Sequence, residues 1–204
     1  ILTKPFDFVW PRLMPEGSKT HFAFMSGGTD FFRGDRWLAK SVDAFVACSH
    51  FNAWQISAHF KRFPGVIYNG VDTEVFHPGL ADEFRKSLRA ANGIPDEAPL
   101  LLFVGSGFER KGVPQLLRAG AGMQRGDAHL VLVGADRKLK RMQALAAELG
   151  LAGRVHFTGP LKDVRPWYGA ADGFVLPTLY DPCPNAALEA LACGLPVLTS
   201  TTCG

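Results

Sequence analysis

A parallel α/β fold with helices on both faces of the sheet is what this sequence predicts. Three observations carry it. From Leu100 onward, strand and helix patterns alternate at least four times. The first of these strands, Leu100-Leu101-Leu102-Phe103-Val104, is an unbroken apolar run, as expected when both faces are covered. Glycines follow strands directly, at Gly27-Gly28, Gly105 and Gly134, where the chain turns toward the next element.

At 204 residues and 47% hydrophobic composition, the chain can hold one large domain or two small ones around a real core. A net charge of +3 is too small to argue for nucleic acid or a strongly basic membrane surface as partner. The four cysteines (Cys48, Cys183, Cys193 and Cys203) form no C-x-x-C or Cys/His cluster and read as reduced thiols of a cytoplasmic protein. No apolar run reaches the roughly 18 residues of a membrane span, and no signal peptide is visible. The start at Ile1 and the stop at Gly204, just past an apolar strand, read as cuts in a longer chain.

Residues 1–20 carry three prolines and an apolar beginning (Phe6, Phe8, Val9, Trp10) that calls for something to pack against. A short strand Phe22–Met25 leads into Ser26-Gly27-Gly28-Thr29-Asp30, which suits a cleft loop or an ordinary βα turn. Arg36 to Ser41 suits a short helix, and Asp43–Ala47 a buried strand. Ser49 is placed to cap a helix running to about Phe60. Gly65–Tyr68 is a further strand closed by the Asn69-Gly70 turn signal. Asn69 to Pro78 has neither helical nor strand period and reads as a linker, so the expected domains are 1–78 and 79–204.

Residues 81–91 form an amphipathic helix ended by Asn92-Gly93-Ile94-Pro95. After strand 100–104 comes the loop Gly105–Gly112, then a helix with Pro114 in its first turn. Strand 129–133, a loop at Gly134 and helix 138–149 follow. That helix puts Leu139, Met142, Ala146 and Leu149 on one stripe, and Gly150 ends it. Strand 154–157, a Gly159-Pro160 turn, helix 164–170, strand 173–176, a helix from Asn185 and strand 196–199 complete the series. Ligands of such sheets sit at the carboxyl ends of the strands, so loops 105–112, 134–137, 159–163 and 177–184 should share one edge.

The chemistry-bearing candidates lie in those loops. Gly105-Ser106-Gly107-Phe108-Glu109-Arg110-Lys111-Gly112 fails as a P-loop, because Val113 stands where a lysine is needed. It fails as a dinucleotide fingerprint because Arg110 holds the third glycine's place. Adjacent Arg110 and Lys111 suit a pyrophosphate, or else a solvated basic turn. The first amides of the helix from Asn185 suit a phosphate, with Pro182 and Pro184 lacking amide hydrogens and Asn185 and Ala186 supplying them. Glu189, one turn further in, sits in an otherwise Ala/Leu helix, where a carboxylate is costly to bury without donors. The two hydroxyls of a ribose would supply such donors; a nearby cation is the structural alternative. Asp181, at the loop entrance, suits a sugar in the same way. No D-x-D and no His/Asp/Glu set with metal-ligand spacing occurs, and no G-x-S-x-G.

Taken together, the stretches Asp43–Ser49, Ile67–Asp72 with Phe76-His77-Pro78, Gly105–Gly112 and Tyr180–Val197 resemble the retaining glycosyltransferases of family 4. Within that family, Phe103–Val113 looks most like the lipopolysaccharide-core hexosyltransferases. The resemblance implies a GT-B fold of two Rossmann-like domains, the N-terminal one largely missing here and the C-terminal one truncated. It implies that Arg110 and Lys111, with Gly107 in their loop, hold and stabilise a departing diphosphate. It implies that Val164, with Lys162 and Asp163, lies beside the base, and that Glu189, second acid of an E-x7-E pattern, binds ribose. The first acid, which contacts the transferred sugar, falls on Asp181, one methylene shorter than the family's glutamate. Many members carry a histidine before Gly-Thr-Asp, and Gly27 stands there in this chain.

The expected activity is therefore metal-independent, retaining transfer of a hexose from a nucleotide diphosphate sugar, such as a UDP-sugar, to a glycan or glycolipid acceptor in cell-envelope or lipopolysaccharide biosynthesis. No cofactor is expected. The expected location is the cytoplasm, with peripheral contact at the inner membrane where the acceptor is lipid-linked. Alternatives are another GT-B chemistry, of epimerase or phosphorylase type, or a nucleotide-binding piece that is inactive alone.

Overall fold

The computed structural model describes residues 13–14, 23–26, 40 and 42–204. The expected loop Gly27–Asp30, all but Lys40 of the helix expected over Arg36–Ser41 and nearly all of residues 1–20 lie outside the described residues. Two compact units are present: Ile1–Asn69 with Asp181–Cys183 and Thr202–Gly204, and Gly70–Tyr180 with Pro184–Thr201. Residues 70–78, read from the sequence as linker, fall in the second unit.

In the first unit β1 (Ala23–Ser26), β2 (Ala44–Ala47) and β3 (Gly65–Val66) form a parallel sheet in that order. Helix α1 (His50–Phe60) connects β2 to β3. It starts where the extended Ser49 accepts the Asn52 amide on its hydroxyl at 3.0 Å, and it stops where Lys61 turns left-handed at φ 58°. The core is Val42, Phe45, Ala47, Ile56 and Phe60, with the Phe45 and Phe60 rings 5.0 Å apart. Arg62 covers the Phe45 ring at 4.9 Å while donating to the Val42 carbonyl at 2.8 Å. Strand β3 is shorter than the expected Gly65–Tyr68. Ile67 donates one more bond to Ala47, but Ile67 and Tyr68 are exposed and leave the sheet.

In the second unit β4 (Leu100–Val104), β5 (His129–Val133), β6 (Val155–Gly159), β7 (Gly173–Leu176) and β8 (Val197–Thr199) make one all-parallel sheet, ordered β6-β5-β4-β7-β8. The inner strands are the more buried: β5 and β7 throughout, β4 apart from half-buried Leu101 and Val104, whereas no residue of edge strands β6 and β8 is fully buried. Helix α2 (Leu80–Ala91) precedes the sheet, and α3 (Val113–Ala121), α4 (Leu139–Glu148), α5 (Arg165–Ala170) and α6 (Asn185–Ala192) occupy the crossovers. The chain runs from β4 outward to β6, returns to β7 on the other side of β4, and continues outward to β8. Right-handed crossovers running in opposite directions put their helices on opposite faces.

Two polar features lie inside this unit. Arg89 of α2, 1% exposed, donates to the carbonyls of Ala170, Pro95, Asp96 and Ala98 and to Asp172 at 2.7 Å. At the amino ends of β5 and β6, the rings of His129 and His156 stack with Nδ1 and Nε2 2.9 Å apart.

Candidate functional site

The strand order reverses between β4 and β7, and at such a switch point the loops leaving two neighbouring strands diverge and open a crevice. The loops in question are 105–112, after β4, and 177–180, after β7. They are laced together. The Arg110 carbonyl accepts from the Leu179 amide at 2.9 Å and the Thr178 hydroxyl at 3.2 Å, and the Arg110 guanidinium donates to the Tyr180 carbonyl at 2.6 Å. Gly112 permits the closest approach. Its φ is 77°, and a Cβ there would lie 1.8 Å from the Pro177 carbonyl oxygen.

Arg110 and Lys111 do not project side by side. The exposed Arg110 reaches along the edge to Tyr180, whereas the half-buried Lys111 folds back over the end of β4. Its Nζ lies 2.9 Å from where a Cβ of Gly105 would stand, so a side chain at 105 would displace it. Gly107, at φ 78°, lies beside the Arg110 Nε. The loop is braced from the next strand's side: Asp136, after β5, accepts the amides of Phe108 and Lys138, each at 2.6 Å. Glu109 takes Lys138 on one oxygen and Arg141 on the other. Phe108 is buried edge-on against Phe103 and anchors the loop in the core. Gly107, Glu109, Arg110, Ala135, Asp136, Arg137 and Lys138 line an open depression of about 470 Å³.

Helix α6 starts at Asn185 with Pro184 at the cap position and no side-chain cap. Asn185 is exposed and Ala186 half-buried. Glu189 is half-buried, and its partner is not a cation: the Tyr168 hydroxyl donates to Glu189 Oε2 at 2.7 Å and lies 3.0 Å from the Ala186 carbonyl. Burial, and after it the Glu189 carboxylate, pushes the Tyr168 phenol far above its ordinary value, so it stays a proton donor. The same two causes, again burial first, push the Cys193 thiol up to about 11. Val164, half-buried, precedes α5 and accepts the Trp167 and Tyr168 amides on its carbonyl. Beside it Asp163 lies below the usual carboxylate range because Arg165 donates to it.

Gly107, Arg110, Lys111, Val164, Asn185, Ala186 and Glu189 therefore all belong to the second unit, whereas Asp181 groups with the first. Asp181 is not an open loop entrance. It is 7% exposed, and its backbone bridges to Cys203, taking the Gly204 amide at 2.9 Å and giving its own amide to Thr202. Its charge contributes to raising the neighbouring Cys48 thiol to about 11, after burial and Cys183. Sequence reasoning missed Tyr168, Asp136 and Glu109. No spacing rule joins 168 to 189, 108 to 136 or 109 to 138. Only the places of Asp136, just past β5, and of Glu109, in the loop after β4, hint at the edge. Among the described residues no group of His, Cys, Asp and Glu could hold a metal ion, and no helix is long and apolar enough to cross a membrane.

Residues 84–204 match the family of glycosyl transferases group 1. An uncharacterized glycosyltransferase of Methanocaldococcus jannaschii is 34% identical over 170 residues, which are 82% of this chain and 42% of that protein. Lipopolysaccharide glucosyltransferase WaaG of Escherichia coli K12 is 40% identical over 123 residues, 59% of this chain and 33% of WaaG. The crystal structure of HepE from Anabaena in complex with UDP superposes at a TM-score of 0.79 and 20% identity, over 91% of this chain and 55% of that one. The parallel α/β architecture is that of the GT-B glycosyltransferases. The chain spans less than half the length of these two curated relatives.

Proposed function

Because this chain belongs to the group 1 glycosyl transferases, we propose that it carries the donor side of a retaining hexosyltransferase, one that uses a nucleotide diphosphate sugar and a glycan or glycolipid acceptor. The observation that carries the reading is the lacing of the Arg110–Lys111 loop to the β7 loop at the switch point, in the unit that also holds Glu189. A diphosphate laid there meets the guanidinium, the ammonium and the amino end of α6. Ribose hydroxyls would donate to Glu189, and the base would lie beside Val164. For Asp181 the reading rests on sequence position, eight residues before Glu189, and its role would be to contact the transferred sugar. Relatives and neighbours named for lipopolysaccharide glucose transfer, or solved with UDP and UDP-glucose, favour a UDP-hexose and an envelope glycan.

In the transfer, the bond from the sugar's anomeric carbon to the diphosphate oxygen breaks, and its electron pair leaves with the diphosphate. The acceptor hydroxyl oxygen bonds to the same carbon on the same face, and its proton passes to the departing diphosphate oxygen. No protein nucleophile is needed for this. The chain's contribution is to hold the leaving group and stabilise its growing charge with fixed cations and dipoles. Lys111→Ala and Glu189→Ala should each weaken nucleoside diphosphate binding about tenfold or more by calorimetry. Unchanged affinity in both would sink the reading. The partial span of its relatives favours a second reading, in which the 204-residue chain binds nucleotide without completing transfer. Ordinary turnover by this chain would exclude it.

A further inference from the structure

Tyr168 reaches the candidate site from a rigid place. It is 1% exposed, with Phe76 edge-on at 5.6 Å and Phe174 stacked at 6.2 Å, so its hydroxyl has one position. That hydroxyl has one proton and two acceptors within reach, Glu189 Oε2 at 2.7 Å and the Ala186 carbonyl at 3.0 Å. The shorter, charge-assisted bond to the carboxylate takes the proton. Glu189, by contrast, is half-buried on a short helix, in no ion pair among the described residues, with three side-chain torsions to fix. From these contacts we infer that Tyr168 is a positioning residue: it fixes the rotamer of Glu189 so that the carboxylate's remaining lone pairs meet the two ribose hydroxyls, and so sets selectivity for the ribo sugar.

This rests on the ribose contact proposed for Glu189. An ionised carboxylate offers about four acceptor sites. Tyr168 occupies one on Oε2 and leaves the others held in a set direction. Without the hydroxyl the carboxylate turns freely, and each ribose hydroxyl must order it at the moment of binding. That cost falls on ligands that use Glu189 and on no others.

The test is Tyr168→Phe, which keeps the ring and its packing. UDP, ADP and GDP are each titrated calorimetrically into wild type, and the tightest is compared with its 2′,3′-dideoxy analogue in wild type and variant. Wild type should favour the ribo form, and the variant should lose that preference by about tenfold, the worth of one hydrogen bond to a charged group. The ratio is taken within one protein sample, so a partly unfolded variant does not distort it. A preference kept in full by Tyr168→Phe, even with both affinities lowered equally, makes the tyrosine merely structural and overturns this inference alone. If wild type binds no nucleoside diphosphate, or binds both forms equally, the ribose contact itself is wrong and the inference falls with it.

Discussion

Two residues show how little room the loop after β4 has. Gly112 combines a left-handed φ of 77° with a neighbour, the Pro177 carbonyl oxygen, 1.8 Å from any added Cβ. Gly112→Ala must therefore pay backbone strain and part the two loops together. It should lower stability by about 3 kcal/mol in denaturant titration, and a cost under about 0.5 kcal/mol would show that the loops are not packed this tightly. Glycine enrichment in Gly105–Gly112 is legible in the sequence. That Gly112 serves contact with Pro177, while Gly105 leaves space for Lys111, is not, because Pro177 is remote in sequence and the fold-back of Lys111 depends on the conformation of the loop.

At the scale of elements, Arg89 ties α2 to the segment before β4 and to the turn between α5 and β7. Its guanidinium spends its donors on four carbonyls and Asp172. Asp172 is pushed up by burial, yet donation from the Leu100 amide and from Arg89 and Arg85 leaves it below the usual carboxylate range. Arg89→Ala would strand those buried carbonyls and should cost about 3–5 kcal/mol in urea unfolding. A cost under about 1 kcal/mol would mean that water satisfies them. The periodicity of 81–91 shows the helix, and its buried face is expected to be apolar; an arginine there reads as surface until the carbonyls that meet it are known. Element ends moved for similar reasons. Strand β6 runs on to Gly159, beyond the expected 157, where the Gly159 carbonyl takes the Gly134 amide.

For the molecule as a whole, the pair of His129 and His156 should set its tolerance of acid. Burial holds His129 below its ordinary value, helped by the Arg154 and Arg89 charges against Asp127, and burial then His129 does the same for His156. The 2.9 Å contact between their ring nitrogens accommodates one proton, so charging both rings would break it. Stability from the pair is full above the unfolded value near 6.5 and is lost as pH falls through the lower folded values, because the unfolded chain then binds more protons. Tm should fall between pH 7.5 and 5.5, and less so in a His129→Leu/His156→Leu double variant. Equal slopes in the two proteins would remove the pair as the cause. What the sequence determined by itself was what short-range pattern governs: the strand–helix alternation, the parallel sheet, the edge that collects the loops, and the choice of Arg110, Lys111 and Glu189 as candidates. Only the tertiary structure decided who holds them. The Tyr168 hydroxyl on Glu189, Asp136 under the glycine loop and the burial of Asp181 beside Cys203 join residues from separate crossovers or chain segments. Such distances are fixed by strand order and packing, on which local periodicity carries no information.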